Sequence, residues 1–139
     1  MKRVVLISCV SKKLDTRAPA EELYTSTLFK LNLRYARALE PDAVYVLSAK
    51  HGLLALEDEI EPYDETLNKM PSAARKAWAN RVIAQLGERF DLEQDHFIIL
   101  AGERYRQYLI PYLAAYEIPL QGLPIGKQLQ FLKERLGNE

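Results

Sequence analysis

Three short apolar runs, separated by stretches with helical patterning, constrain the fold of this chain more than any other feature. They are "RVVLISC" (3–9), "AVYVLS" (43–48) and "HFIILAG" (96–102). All three are rich in β-branched residues and nearly continuously apolar, which is typical of strands that are covered on both faces. They are far shorter than the roughly 20 residues that a membrane-spanning helix needs. We therefore expect three adjacent, parallel strands, with 3–9 in the centre.

The segments around these runs predict helices. The expected helices cover about 27–39 with Ser26 as N-cap, a stretch that follows Ser72 and ends near Gly87, about 103–115 with an interruption or restart at Pro111, and the final "GKQLQFLKERLGNE"; "YEIPL" before it is a candidate edge strand. Strands that alternate with helices form parallel sheets joined by right-handed crossovers. The fold class is therefore α/β, a three-layer α/β/α domain with a short, mainly parallel sheet.

Length and composition indicate one domain and exclude several classes of protein. The chain has 139 residues, 48% of them hydrophobic, which suffices for one core, so we expect 1–139 to form a single α/β domain. Cys9 is the only cysteine and there are two histidines, so neither an internal disulfide nor a zinc cluster is expected. No charged-then-apolar signal segment opens the chain, which favours a cytoplasmic protein without a membrane partner. We expect no metal and no cofactor, and the pattern leaves the oligomeric state open.

Charge is balanced overall, with 19 basic and 19 acidic residues, so any anion binding must be local. In open parallel sheets, ligands bind at the carboxyl ends of the strands. The residues that follow the three runs are Ser8, Cys9, Ser11, Lys12 and Lys13; Ser48, Lys50, His51 and Gly52; and Gly102, Glu103, Arg104 and Tyr105. They predict a basic, hydroxyl-rich crevice that suits a phosphate, a nucleotide or a nucleobase. The alternative is that these charges are ordinary solvated loop residues and that Cys9 is a small buried hydrophobe.

Two loops, 10–25 and 50–70, are longer than a compact α/β domain needs and show no clear secondary structure. Loops of this length are usually functional or mobile, and both are expected over the same edge of the sheet as the cations. The residues that they would bring over the crevice are Tyr24, Ser26, Tyr63 and Asp64. The alternative for the second loop is a surface Ω-loop packed by its own apolar side chains.

The segment "LSAKHGLL" (47–54) places a cation and an imidazole directly after a buried strand. Because side chains alternate along a strand, we expect Lys50 to share the side of Ser48 and to face the ligand. His51 is expected to point the other way and to be hydrogen-bonded within the second long loop. Gly52 would let the chain turn sharply away.

A lysine is nucleophilic only when neutral, a state that neighbouring cations favour. The residues with candidate catalytic roles are Lys13 and Lys50 as nucleophiles, His51 as a proton shuttle, and Asp64 as a group that, with Tyr24, Ser26 and Ser48, orients a base or a ribose. Near the end of the chain, "GLPIGKQ" (122–128) places Gly126 and Lys127 where backbone N–H groups would cradle a phosphate. A tight turn shaped by the two glycines is the alternative. Neither a P-loop nor a dinucleotide fingerprint follows any of the runs.

Motifs along nearly the whole chain resemble those of a widespread family of small bacterial and phage proteins of unknown function. They are "SCVSKK", "ELYTSTLFK", "LSAKHGLL", "EPYDETL", "LAGERY" and "PLQGLPIGKQLQFL". In addition, "LSAKHGLLALEDEIEPYDETLNKM" resembles the YaaA peroxide-stress family, which is associated with limiting oxidative DNA damage and with nucleic-acid binding. This second resemblance implies a nucleic-acid-binding protein.

The first loop is similar to the core domain of archaeosine synthase, which has a uracil-DNA-glycosylase-like α/β fold. Cys9 and Lys13 keep the Cys-x3-Lys spacing of that domain's motif, so the resemblance makes Lys13 the position of its nucleophilic lysine. Ser8 stands where that motif has proline, and Phe29 stands where it has histidine. The resemblance implies a uracil-DNA-glycosylase-like sheet, with a Rossmann-like sheet as the other arrangement of the same elements.

Two function hypotheses follow. The first is an enzyme that acts on a nucleobase, nucleoside or nucleotide, by lysine addition or glycosidic-bond chemistry, in the basic crevice. The second is a non-catalytic nucleic-acid-binding or nucleotide-binding protein of the YaaA type. A lysine in a closed pocket near an acid or a histidine would favour the enzyme, whereas an open basic groove with exposed tyrosine rings would favour binding.

Overall fold

The computed structural model of the protein describes residues 1–8 and 12–137. The strands are β1 (Arg3–Ser8), β2 (Ala18–Pro19), β3 (Ala43–Ser48), β4 (Gly52–Ala55), β5 (Glu59–Ile60), β6 (His96–Leu100) and β7 (Ala115–Glu117). The helices are α1 (Ala20–Leu23), α2 (Thr27–Ala38), α3 (Ser72–Gly87), α4 (Glu103–Arg106) and α5 (Ile125–Leu136), and 3-10 turns lie at Leu67–Lys69 and Ile110–Tyr112.

A mostly parallel sheet with the order β4-β3-β1-β6-β7 forms the centre of the fold. β1 pairs in parallel with both β3 and β6, so the predicted arrangement of the three apolar runs is confirmed. Val4 to Ile7 of β1 are fully buried, which is why these four residues are all apolar. The short edge strand expected at "YEIPL" is β7, which begins one residue earlier and pairs in parallel with β6.

Helices cover the sheet, which makes the fold the α/β class predicted. α2 packs against β1 and α5, while α3 packs against β4. The side chain of Ser26 caps α2 as expected, because its Oγ accepts a hydrogen bond from the Phe29 N–H at 3.1 Å. Ser72 is the first residue of α3, and its N-cap is Pro71. No helix within the described residues is both long enough and apolar enough to cross a membrane.

The second long loop contains more regular structure than the sequence predicted. β4 returns antiparallel along β3, with Ser48 opposite Gly52, so "LSAKHGLL" is a β-hairpin. β5 pairs antiparallel with β2, which ties the two long loops together. The prediction that these loops lack secondary structure was wrong. The two-residue strands β2 and β5 are defined by their pairing with each other and carry little sequence signal of their own.

The expected helix over 103–115 was also wrong in length. α4 is a single turn, Glu103–Arg106, and the chain continues into the 3-10 turn at Ile110–Tyr112. Pro111 lies in the first turn of that 3-10 segment, a position where its missing N–H is tolerated. The segment therefore restarts at the proline as an i to i+3 turn and not as an α-helix.

Candidate functional site

A chain of buried hydroxyl groups starts where β3 ends. Ser48 is fully buried, and its Oγ lies 2.6 Å from the Tyr63 Oη, which in turn lies 2.6 Å from the Tyr24 Oη. The backbone N–H of His51 donates to the Ser48 Oγ at 3.1 Å. Because a hydroxyl group can donate and accept at once, the three oxygens form one continuous hydrogen-bonded chain. Residues of both long loops and of β3 thus meet at the carboxyl edge of the sheet.

Lys13 lies over this chain. Its Nζ is 4.6 Å from the centroid of the Tyr63 ring and 5.7 Å from that of the Tyr24 ring, within cation–π range. The backbone of Lys13 forms an antiparallel bridge with Tyr24, and hydrogen bonds from Leu14 N to Leu23 O and from Thr25 N to Lys12 O flank this bridge. The half-buried Lys13 is therefore positioned by its main chain, whereas Lys12 beside it is exposed.

His51 also contacts the cluster. Its ring packs edge-on against the ring of Tyr63, with the centroids 5.6 Å apart. Burial, and then the positive charges of Lys50 and Arg81, lower the pKa of His51 below its ordinary value, against a smaller opposing effect of Glu65. His51 is therefore predominantly neutral near pH 7 and able to accept a proton.

Lys50 lies apart from the hydroxyl chain. β3 ends at Ser48, so the alternation argument does not extend to Lys50, which is in the hairpin turn and exposed. Its carbonyl accepts a hydrogen bond from the Arg81 guanidinium at 2.7 Å. Lys50 and Arg81 line an open groove that also includes Glu65 and Trp78, on the α3 side of the hairpin. In this turn, His51 packs its ring against Tyr63.

Trp78, which the sequence analysis missed, connects Tyr105 to the end of β3. The indole Nε1 of Trp78 donates to the Ser48 carbonyl at 2.8 Å, and its ring packs edge-on against Tyr105 at 5.7 Å. The Tyr105 Oη lies 3.4 Å from both the Thr66 Oγ1 and the Leu67 backbone nitrogen. Trp78 is the only tryptophan of the chain, and its position on the helix after the long loop was the available signal.

A small cavity lies at the carboxyl ends of β1 and β6. It has a volume of about 50 Å³, and the residues that line it are Ser8, Leu28, Asn32, Leu100, Ala101, Gly102, Arg106, Leu120 and Gln128. Ser8 is in register with Leu47 of β3, so the cavity is one strand away from Ser48. Asn32 was not predicted. The available signal was its position between Leu28 and Ala36, at the i, i+4 spacing of one helix row whose other members are apolar.

The remaining predicted site residues are distributed around this edge. Ser26 caps α2, Asp64 is exposed, and Gly126 and Lys127 are exposed in the first turn of α5. Cys9 and Ser11 lie outside the described residues. In the described part of the chain, no group of three or more histidine, cysteine, aspartate or glutamate side chains is arranged to hold a metal ion.

Comparison with known proteins gives a family but no activity. Neither the curated proteins nor the solved structures include a significant match to this chain. One family of unknown function, DUF6884, matches residues 4–134, which is nearly the whole chain and includes the hydroxyl chain, Lys13 and the cavity. The protein therefore belongs to the DUF6884 family of unknown function.

Proposed function

We propose that this protein is an enzyme that acts on a nucleobase, nucleoside or nucleotide at the carboxyl ends of β1 and β3. The observation that carries the proposal is the position of the Lys13 ammonium over the Tyr63 and Tyr24 rings, with the neutral ring of His51 against Tyr63. Tyr63 is only 7% exposed and Tyr24 1%. Because these rings are buried, the bases of a nucleic-acid strand cannot stack on them. This supports an enzymatic reaction over nucleic-acid docking at this cluster.

The chemistry proposed is attack on the sugar carbon that carries the base. The Lys13 amine would form a bond to C1′ while the glycosidic C–N bond breaks, and the base would leave with the bonding electron pair. Cleavage of the C1′–O4′ bond, with its electron pair and a proton ending on O4′, would then open the sugar ring and give a lysine–sugar imine. A proton from the hydroxyl chain or from the crevice would neutralise the departing base, and neutral His51 would take the proton that the amine loses. The resemblance of Cys9-x3-Lys13 to the motif of the archaeosine synthase core domain supports the choice of Lys13.

The test measures base release and covalent trapping. The protein is incubated with a panel of nucleosides, nucleotides, DNA and tRNA, free bases are quantified by chromatography, and sodium borohydride is added to reduce any lysine–sugar imine. We expect a borohydride-dependent mass increase on Lys13 with the substrate of the panel that releases its base. Lys13→Gln should lose both signals, at least 100-fold in rate.

The matched control is Lys12→Gln, which removes the same charge from the exposed neighbouring residue and should retain activity. Equal loss in both variants would show that only local charge matters and would contradict a nucleophilic Lys13. Absence of base release across the whole panel would contradict the proposed reaction.

A second candidate function, non-catalytic binding of single-stranded nucleic acid, is favoured by a different patch. The Tyr108 ring has the Arg75 guanidinium 5.5 Å and the Lys76 Nζ 5.4 Å from its centroid. Tyr112 lines a surface pocket together with Lys76 and Tyr108, and it is 52% exposed. Cations interleaved with an exposed aromatic ring are typical of surfaces that stack bases and contact phosphates.

Fluorescence anisotropy with a labelled single-stranded oligonucleotide tests this candidate. If the patch binds nucleic acid, Tyr112→Ala should weaken binding about 5- to 100-fold, the range expected for loss of one stacked base. Tyr116→Ala, which removes an exposed tyrosine on the edge strand β7, should leave binding unchanged. Binding that is insensitive to salt, or equally affected by the two substitutions, would contradict this function.

A further inference from the structure

The small cavity at the ends of β1 and β6, called here the Asn32 cavity, contains a buried acceptor that the described residues do not satisfy. Asn32 is only 5% exposed, and its Oδ1 is fully buried without a hydrogen-bond partner among residues 1–8 and 12–137. Buried amide oxygens are almost always paired, because desolvation without a compensating hydrogen bond is unfavourable. Because Asn32 also lines the cavity, a molecule that enters it is one source of the missing donor.

A fixed donor lines the same cavity. The Nη1 of Arg106 donates to the Ala101 carbonyl at 2.8 Å, which anchors the guanidinium at the end of β6. Gln128 is anchored in the same way, since its Nε2 donates to the Leu123 carbonyl at 2.7 Å. A guanidinium carries only donors, so the group that it recognises must be an acceptor. The cavity thus combines a neutral acceptor with a charged donor on anchored side chains.

The size of the cavity limits what can enter. About 50 Å³ is too small for a whole nucleoside but can take the edge of a planar ring. Leu28, Leu100 and Leu120 form an apolar part of its wall, which suits the faces of such a ring. The polar edge should then carry an N–H group next to a carbonyl oxygen, in positions that complement Asn32 and Arg106.

We infer that the Asn32 cavity reads the cyclic amide edge of a base, with the ring N–H donating to the Asn32 Oδ1 and the neighbouring carbonyl accepting from Arg106. Uracil-type, hypoxanthine-type and guanine-type rings present this edge. The inference rests on the proposed function and deepens it by naming the substrate class. Since Ser8 is in register with the residue before Ser48, a base edge in the cavity places the rest of the nucleoside at the strand ends beside the hydroxyl chain.

The test compares two probes that differ only at the ring N–H. 1-Methyluracil retains this group, whereas 1,3-dimethyluracil carries a methyl group in its place. Binding to the full chain is measured by calorimetry and by the shifts of side-chain amide signals in nitrogen-15 NMR spectra. We expect the wild-type protein to bind 1-methyluracil at least tenfold more tightly than 1,3-dimethyluracil, with the Asn32 amide signals among those that move.

Two variants locate the preference. Asn32→Leu keeps the approximate shape but removes the acceptor, and it should abolish the tenfold preference. Asn68→Leu, a control at an exposed asparagine, should retain it. If Asn32→Leu does not fold, Asn32→Ala serves instead: it also removes the acceptor and should abolish the preference.

Several results would overturn the inference: equal binding of the two probes, no binding of either, or a preference that survives Asn32→Leu. The same measurements distinguish failure of this inference from failure of the proposed function. Base release that depends on Lys13 but not on Asn32 would leave the enzyme proposal standing without this cavity. A preference that depends on Asn32 without any base release would leave the cavity without the enzyme.

Discussion

Tyr63 is the residue at which the candidate site converges. Its hydroxyl group joins Ser48 to Tyr24, and its ring contacts both the Lys13 ammonium and the His51 ring. The sequence analysis identified Tyr63 only as a stacking ring in a turn after Pro62. Its hydroxyl chain could not be predicted, because it depends on how two loops far apart in sequence pack against the end of β3.

Removal of the Tyr63 hydroxyl tests the importance of this chain for stability. Tyr63→Phe keeps the ring and deprives the buried hydroxyl groups of Ser48 and Tyr24 of a partner. We expect a decrease of about 1–3 kcal/mol in the free energy of unfolding, measured by urea denaturation. Tyr116→Phe, at an exposed tyrosine on β7, should change it by less than about 0.5 kcal/mol. Equal effects of the two substitutions would show that the hydroxyl chain contributes no stability.

His51 should make stability depend on pH in a specific direction. Its pKa is lowered in the folded protein, mainly by burial and then by Lys50 and Arg81. The unfolded chain therefore binds a proton more readily than the folded one below about pH 6.5, and the contribution that is present above that pH is lost as the pH falls. Urea denaturation at pH 8 and pH 5 should show a larger loss for the wild-type protein than for His51→Gln. An identical loss in both would contradict this prediction.

At the scale of elements, the β3–β4 hairpin explains why a buried strand is followed by a lysine and a histidine. Gly52 has a φ of 74°, a left-handed conformation that favours glycine, and it begins the return strand. The Gln85 Oε1 of α3 accepts a hydrogen bond from the Leu53 N–H at 2.9 Å and lies where a side chain at position 52 would be. The hairpin is thus attached directly to α3.

Substitution of Gly52 should therefore destabilise the fold in two ways. Gly52→Ala adds a methyl group to a left-handed residue, which costs about 1–2 kcal/mol, and it also pushes Gln85 away from Leu53. Gly122→Ala is a matched control, since Gly122 has a φ of 79° but open space around it. Thermal or urea unfolding should show a larger destabilisation for Gly52→Ala. A destabilisation no greater than that of the control would contradict the packing against Gln85.

Elements buried on both faces were predictable, whereas those defined by pairing or by special turns were not. The apolar runs of β1, β3 and β6 reflect burial along the whole strand, which the sequence alone reveals. β4 is only four residues long, and its apolar pair Leu53 and Leu54 fits a loop packed on the core equally well. Asn32 was missed for a related reason: a single polar residue in an amphipathic helix indicates a site only when its surroundings are known.

At the scale of the whole molecule, stability is expected to be highest along the axis of β1. This strand is hydrogen-bonded on both sides, to β3 and to β6, and its residues Val4 to Ile7 are fully buried. β7 is a three-residue edge strand with exposed side chains at Tyr116 and Glu117. Opening of β7 therefore requires far less disruption than opening of β1.

Native-state hydrogen exchange measures this difference. The amides of Val4 to Ile7 should exchange only through global unfolding, so their opening free energy should equal that from urea denaturation. The amides of β7 should exchange at least 100-fold faster through local opening. Protection of β7 equal to that of β1 would show instead that the sheet opens as one cooperative unit.

The pairing of β2 with β5 joins the two long loops into one structural unit. Ala18 faces Ile60 in this pair, and the N–H groups of Ala20 and Glu21 donate to the carbonyls of Asp58 and Leu56. Shortening either loop on its own would leave its partner's backbone groups without these hydrogen bonds. The segments that cover the site can therefore be lengthened, shortened or exchanged between proteins only as a pair, although dozens of residues separate them along the chain.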